Sequence, residues 1–322
     1  TAHIINGSQS VVKLFLVGAN SPAGKGLIEI LRKNKIRFLA PADKNFDQVN
    51  AGSILKMITD FAPTQLINMA DFISRNHSAL KRAESSEQRC ERINSLLPAI
   101  LAETCNQLDI PMLHLSNCYV FDGEKKLGYN ENDETNPKGV YGYYTLAGEQ
   151  AVRDHPKHII MRSGWLFGKH KIGLIKSWIH SIKKHKGELT VWRRRFSPTS
   201  TTEIASAILA VAQQVDCDAN VWGTYHYSGL EIKKEIEFAR QVLKYAANHD
   251  EEIYQLLENT KIRENLPRLP ELPNSTLSSK KIFDTFGIKQ KSWHGDLQET
   301  IMTLYVGRLR TEPDESKSDI TS

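Results

Sequence analysis

Cysteine is scarce, with four in 322 residues, at Cys90, Cys105, Cys118 and Cys217, and no two of them form a CxxC pair. That spacing argues against a zinc ribbon and a disulfide framework and leaves free thiols as the simple reading; no metal ligand set is proposed. Long apolar runs are also missing: nothing approaches the roughly 20 residues that span a bilayer, so no membrane protein is expected. Thr1-Ala2-His3 does not open a basic-then-apolar leader, and a cytoplasmic location follows as the expectation. Neither sign of charge dominates, since 42 Lys+Arg against 37 Asp+Glu leave only +5. Two basic clusters stand out, Lys183-Lys184-His185-Lys186 and Arg193-Arg194-Arg195. Without a helix-turn-helix, RNA-recognition or zinc-finger pattern beside them, nucleic acid is the minor reading. A solvated helix end, or a site for an anionic nucleotide diphosphate, serves as well.

The length favours one large domain and a smaller partner. Residues 11–17 are a short apolar run that stops at Gly18, as a buried parallel strand entering a tight turn does. After it, Leu27, Ile28, Ile30 and Leu31 fall on one helical stripe. Further strands are expected over 36–40, 65–69, 111–120 and 158–162, and helices over 54–61, 86–108 (interrupted near Pro98) and 141–153. This alternation predicts an α/β chain with a Rossmann-type doubly wound parallel sheet. Beyond it, helices over 172–184, 202–214 and 233–248 and strands over 189–192 and 223–229 predict a smaller α/β substrate-binding domain. The expected organisation is a flexible N-terminus over 1–10, an NAD(P)-binding domain over 11–165, a mainly substrate-binding domain over 166–309 that can return to the Rossmann sheet, and a disordered tail over 310–322.

The turn Gly18-Ala19-Asn20-Ser21-Pro22-Ala23-Gly24 is the first candidate site. Glycines there would let the backbone approach a pyrophosphate at the positive end of the following helix. Ser21 stands where the middle glycine is usual, and Ser21 and Pro22 lower the expected affinity for a dinucleotide. A bare tight turn into a helix is the bland alternative.

Two later stretches, 113–123 (LHLSNCYVFDG) and 140–149 (VYGYYTLAGE), together resemble signatures of the dTDP-4-dehydrorhamnose reductase family. Ala83-Glu84 with Asn94, Arg162 to Gly168, Phe196-Ser197-Pro198-Thr199 and Gly223 to Gly229 resemble later family landmarks in the same order. The resemblance runs from about Val11 to Leu304 and implies an extended short-chain dehydrogenase/reductase that reduces a 4-keto dTDP-sugar with NADPH or NADH. It implies Tyr141 as the proton donor, with the usual Ser/Thr replaced by Asn117 and the usual lysine, one helical turn beyond the tyrosine, replaced by Thr145. A hydroxyl cannot supply the charge that lowers a phenol pKa, so Tyr141 should be a sluggish acid. Lys138 and Lys25 are nearby lysines, but neither lies one turn beyond Tyr141. Tyr143 and Tyr144 read as packing residues. For the cofactor the resemblance implies Gly18, Asn20, Ser21, Ala23, Gly24, Asp47, Asn68 and Ala70; Asp43 and Lys44 do not decide between NAD and NADP. For the substrate it implies Arg195 and Trp165.

Three departures, at Ser21, Asn117 and Thr145, favour an impaired member that serves as a binding or regulatory subunit. The regulatory beta subunit of methionine adenosyltransferase, which Arg195-Phe196 and Gly223 to Gly229 also resemble, is a precedent for that use of the fold. The alternative is an active reductase of a 4-keto nucleotide sugar. The expected partner is therefore a nucleotide-sugar-like small molecule or a protein, with a homodimer open.

Overall fold

The computed structural model describes residues 12–72, 83–215, 220–269 and 271–309. The expected flexible start at 1–10, the expected tail at 310–322 and Cys217 lie outside the described residues. Among the described residues, no helix is long and apolar enough to cross a membrane.

Six strands form one parallel sheet in the order β2-β1-β3-β4-β5-β6, with β1 Lys13–Val17, β2 Arg37–Leu39, β3 Gln65–Asn68, β4 Met112–Asn117, β5 His158–Ser163 and β6 Gly223–Tyr227. β1 and β3 are completely buried over their apolar residues, which is why they read as continuous hydrophobic runs. β2 pairs with one side of β1 and β3 with the other, so the topological switch point lies at the carboxyl ends of β1 and β3, where such sheets bind ligands.

Helix α1 (Pro22–Lys33) buries Ala23, Leu27 and Leu31 against the sheet. Its Gly26 admits a later helix, Thr201–Val215, since a Cβ there would lie 2.8 Å from the Thr201 carbonyl oxygen. That later helix and β6, which the sequence groups with the C-terminal pieces, lie in the same core as α1. A second core gathers Phe167, Trp178, Phe196, Phe238 and Trp293 around the helices Gly173–Lys184 and Glu235–Ala246 and the parallel strand pair Glu188–Trp192 and Lys261–Asn265. This pair's second strand and the helices Lys280–Phe286 and His294–Leu309 are not anticipated by the sequence pattern.

Two of the differences from expectation bear on the site. The strand expected over 111–120 stops at Asn117, and Cys118–Val120 is a 3-10 turn in which the Tyr119 N–H donates to Asn117 Oδ1 at 2.9 Å. The break expected near Pro98 falls earlier, as a π-helical turn over Arg92–Leu96. Pro98 instead sits in the first turn of the next helical segment, Leu97–Gln107, where a missing N–H does no harm. The π turn pushes the Asn94 carbonyl towards helix Val140–Arg153, and Gly148 makes room for it: a Cβ would lie 2.0 Å from that oxygen. π turns recur at functional sites, and this one aims Asn94 at the centre described next.

Three of the seven residues in the basic clusters meet carboxylates of the same chain. Lys183 pairs with Asp250 at 2.6 Å, Arg193 approaches Glu264 at 4.0 Å, and buried Arg194 binds Glu235 and Glu271.

Candidate active site

At the switch point Gly18 has a φ of +81°, and a Cβ on it would lie 2.2 Å from the Ala70 nitrogen, so the turn after β1 closes onto the end of β3. Gly24 is equally confined, 2.3 Å from the Gly18 carbonyl by the same measure. Asn68 is fully buried, holding His114 Nδ1 at 3.0 Å and accepting the Ala70 N–H at 3.1 Å, which fixes the turn. Ser21 caps α1: its hydroxyl accepts the Gly24 N–H at 3.0 Å, and Pro22 in the first turn brings no N–H. Two amide donors that a helix start would offer a phosphate are thereby withdrawn. Ala23 is buried beside them and Asn20 is exposed. Exposed Asp47, with Asp43, Phe46 and Arg89, lines a cleft next to Gly18 and Ala70 of only about 40 Å³. The frame fits a dinucleotide, with fewer free amide donors at the helix start. Ser21→Gly should therefore tighten NADPH binding about tenfold, the worth of one charge-assisted hydrogen bond, at a few tenths of a kcal/mol in cap stability. Calorimetric titration of both proteins checks this, and an unchanged Kd would place the weakness elsewhere.

The residues that the resemblance implies for catalysis meet at the ends of β3, β4 and β5. Tyr141, 1% exposed at the start of its helix, donates its hydroxyl proton to Asp71, whose two carboxylate oxygens lie at 2.9 and 3.1 Å. Asn117 Nδ2 in turn donates to the Tyr141 oxygen at 2.6 Å. Burial first and the Asp71 carboxylate second push the phenol well above its ordinary range. Thr145 lies one turn on, buried, its hydroxyl donating to the Tyr141 carbonyl at 2.8 Å. Between them sits Asn94, whose Nδ2 donates to Thr145 Oγ1 and to Asp71, each at 3.1 Å. An amide thus links Thr145 to the carboxylate that accepts the phenol proton.

These residues open onto a cavity of about 230 Å³ lined by Asp71, Asn117, Tyr119, Tyr141, Trp165 and Lys171 among others. Of the two residues the resemblance implies for the substrate, Trp165 lines the cavity and Arg195 does not: it is exposed, donates to the Lys126 carbonyl at 3.3 Å, and its neighbour Arg194 lines the cavity. Within the short strand Arg195–Phe196 the buried Phe196 turns Arg195 outward, and Arg194, before the strand, is held inward by Glu235 and Glu271. Ser116 also borders the cavity, but its hydroxyl donates to Glu149 at 2.5 Å. Neither Lys138 nor Lys25 lines the cavity. Cys118 is buried there, and desolvation pushes its thiol up to about 12, so it is no nucleophile.

The RmlD substrate binding domain model matches residues 12–306. The chain belongs to this family. Curated relatives in the RmlD family include a dTDP-4-dehydrorhamnose reductase of Sinorhizobium fredii, 27% identical over 91% of this chain and 98% of its own length. Another, from Aggregatibacter actinomycetemcomitans, is 28% identical over 89% and 98%. A crystal structure of a dTDP-4-dehydrorhamnose reductase from Clostridium acetobutylicum superposes with a TM-score of 0.76 at 26% identity, covering 93% of this chain and all of that one. The Bacillus anthracis reductase, solved in complex with NADP, shares the fold at a TM-score of 0.76 and 23% identity, over 90% of this chain and 99% of its own.

Two residues of this RmlD-family site were not found from the sequence. Asp71 follows the Asn68-Met69-Ala70 turn directly, and the signal was available: a carboxylate just past a buried strand at a switch point. Lys171 comes from the opposite half of the chain, after the short strand Leu166–Phe167, and no spacing rule links it to Tyr141.

Proposed function

We propose that this chain is an NAD(P)-binding, dTDP-4-dehydrorhamnose reductase-like protein whose reduction step is impaired, and that it acts as a nucleotide-sugar-binding or regulatory subunit. One observation carries the reading: the Tyr141 hydroxyl is hydrogen-bonded to a carboxylate and has no lysine one turn away. In ketone reduction the phenol must hand its proton to an oxygen that gains charge as hydride arrives. A phenol weakened as an acid, with its proton directed at Asp71, delivers it poorly. The relatives' names and the NADP in the Bacillus anthracis structure support the cofactor and substrate classes, with 11–165 holding the dinucleotide and 166–309 most of the sugar nucleotide.

The test is NADPH consumption with a 4-keto dTDP-sugar. Rates at the level of the buffer control are expected at neutral pH, and turnover abolished by Tyr141→Phe would reject impairment. A second reading, an active reductase, is favoured by Lys171 in the same cavity. It requires that turnover be present and that Lys171→Met remove it.

A further inference from the structure

The donors that surround the Tyr141 hydroxyl point into the protein. The phenol donates to Asp71, Asn117 Nδ2 donates to the phenol, and Ser116 donates to Glu149. The cavity does hold a cation, and the backbone that carries it is fixed. Lys171 closes a turn in which its N–H donates to the Gly168 carbonyl at 2.8 Å. Gly168 has a φ of +142°, with Thr201 Oγ1 at 2.5 Å from where a Cβ would be, so the turn tolerates no other residue there. The two residues between are clasped to α1: Lys169 and His170 meet Glu29 at 2.6 and 2.9 Å. Burial lowers the Lys171 pKa, while Asp71 and Cys118 act on it in the opposite sense, so the ammonium and the Asp71 carboxylate feel one another within the cavity.

We propose that the cavity recognises a hydroxyl, not a carbonyl, on the sugar of a nucleotide sugar, with Asp71 accepting its proton and Lys171 donating to its oxygen. A hydroxyl is donor and acceptor at once and satisfies both residues. A carbonyl only accepts; it can meet Lys171 but turns lone pairs towards a carboxylate, leaving an unmatched polar contact in a partly desolvated site. Trp165 and Tyr119 supply apolar walls for the ring carbons. The inference rests on the proposed sugar-nucleotide reading and inverts the ligand state that a reductase takes up.

Calorimetric titration of the intact chain tests it with a matched pair: dTDP-4-keto-6-deoxyglucose, and the same compound reduced by borohydride to its 4-hydroxyl forms, with dTDP as reference. The 4-hydroxyl ligand should bind at least tenfold more tightly than the ketone. Asp71→Ala should erase that ratio, and Lys171→Met should weaken the hydroxyl ligand while dTDP binding is unchanged. A ketone that binds as tightly or more tightly overturns the inference, as does a pair that binds no better than dTDP. Impaired reduction is decided separately by NADPH turnover, so the two can fail independently; the wild-type comparison stands even where a variant does not fold.

Discussion

A chain carrying both Thr145→Lys and Asp71→Ala should reduce a 4-keto dTDP-sugar with NADPH about a hundredfold faster than the wild-type chain, the lower end of what a positioned general acid contributes. The carboxylate that takes the Tyr141 proton at 2.9 and 3.1 Å is removed, and an ammonium arrives one helical turn beyond the phenol. Both changes push the phenol pKa down, by loss of a like charge and by gain of an opposite one. Their effects should not add. With Asp71 in place, a lysine at 145 would meet that carboxylate, because Asn94 Nδ2 already touches both positions at 3.1 Å, and the pair would neutralise itself. Thr145→Lys alone should therefore gain little, and Asp71→Ala alone should free the hydroxyl and lower its pKa only part of the way, with no positive charge beside it. Initial rates of absorbance loss from NADPH, measured across about pH 6 to 9 for the four proteins, check this. A folded double variant that binds NADPH and still turns nothing over would mean that the phenol was not the limiting group.

That experiment also marks how far the sequence reaches. The sheet was legible because β1, β3, β4 and β5 are buried on both faces and so read as short apolar runs, and the first helix because Leu27 and Leu31 share one stripe. Tyr141, Asn117 and Thr145 come together because a β-strand end and one helical turn fix them locally. Asp71 and Lys171 were not legible, because what brings them together is a cavity assembled from segments 100 residues apart in the chain. Arg195 lies outside that cavity for a smaller reason: a triplet of arginines does not announce which member faces inward, and Arg194, just before a two-residue strand, is the one held by Glu235 and Glu271. The π turn was invisible too, since proline draws attention to Pro98 while the bulge depends on Gly148 in a different helix.

The largest loss of stability should come from Glu149→Ala. Glu149 is completely buried beneath the site, receives Arg162 through two hydrogen bonds of 2.8 and 2.7 Å, and also accepts from Arg153 at 2.8 Å and from Ser116. Arg162 is 2% exposed and its remaining nitrogen faces His226 at 3.3 Å, so removing the carboxylate strands a guanidinium with no counter-charge. Breaking a buried pair from one side costs about 3–5 kcal/mol, which corresponds to a Tm lower by roughly 4–7 °C in a chain of this size. Thermal unfolding followed by circular dichroism measures it. The joint replacement Glu149→Met with Arg162→Leu should recover most of the loss, because two apolar side chains need no desolvation of charge; a double variant as unstable as Glu149→Ala would show that shape, not charge, holds the core. Acid should act on the same cluster. Burial pushes the Glu149 pKa up, but Arg162 outweighs it and holds the carboxyl below its usual range. A folded pKa depressed in this way gives stability that is present above the unfolded value and lost as pH falls through the folded one. His226, pushed down to about 3, and His114, to about 4, are both buried neutral, and they begin to withdraw stability earlier, as pH drops below their unfolded value near 6.5. Stability should thus decline from about pH 6.5 downward, first through the histidines and then through Glu149, and Glu149→Ala should flatten only the lower, more acidic part of that curve.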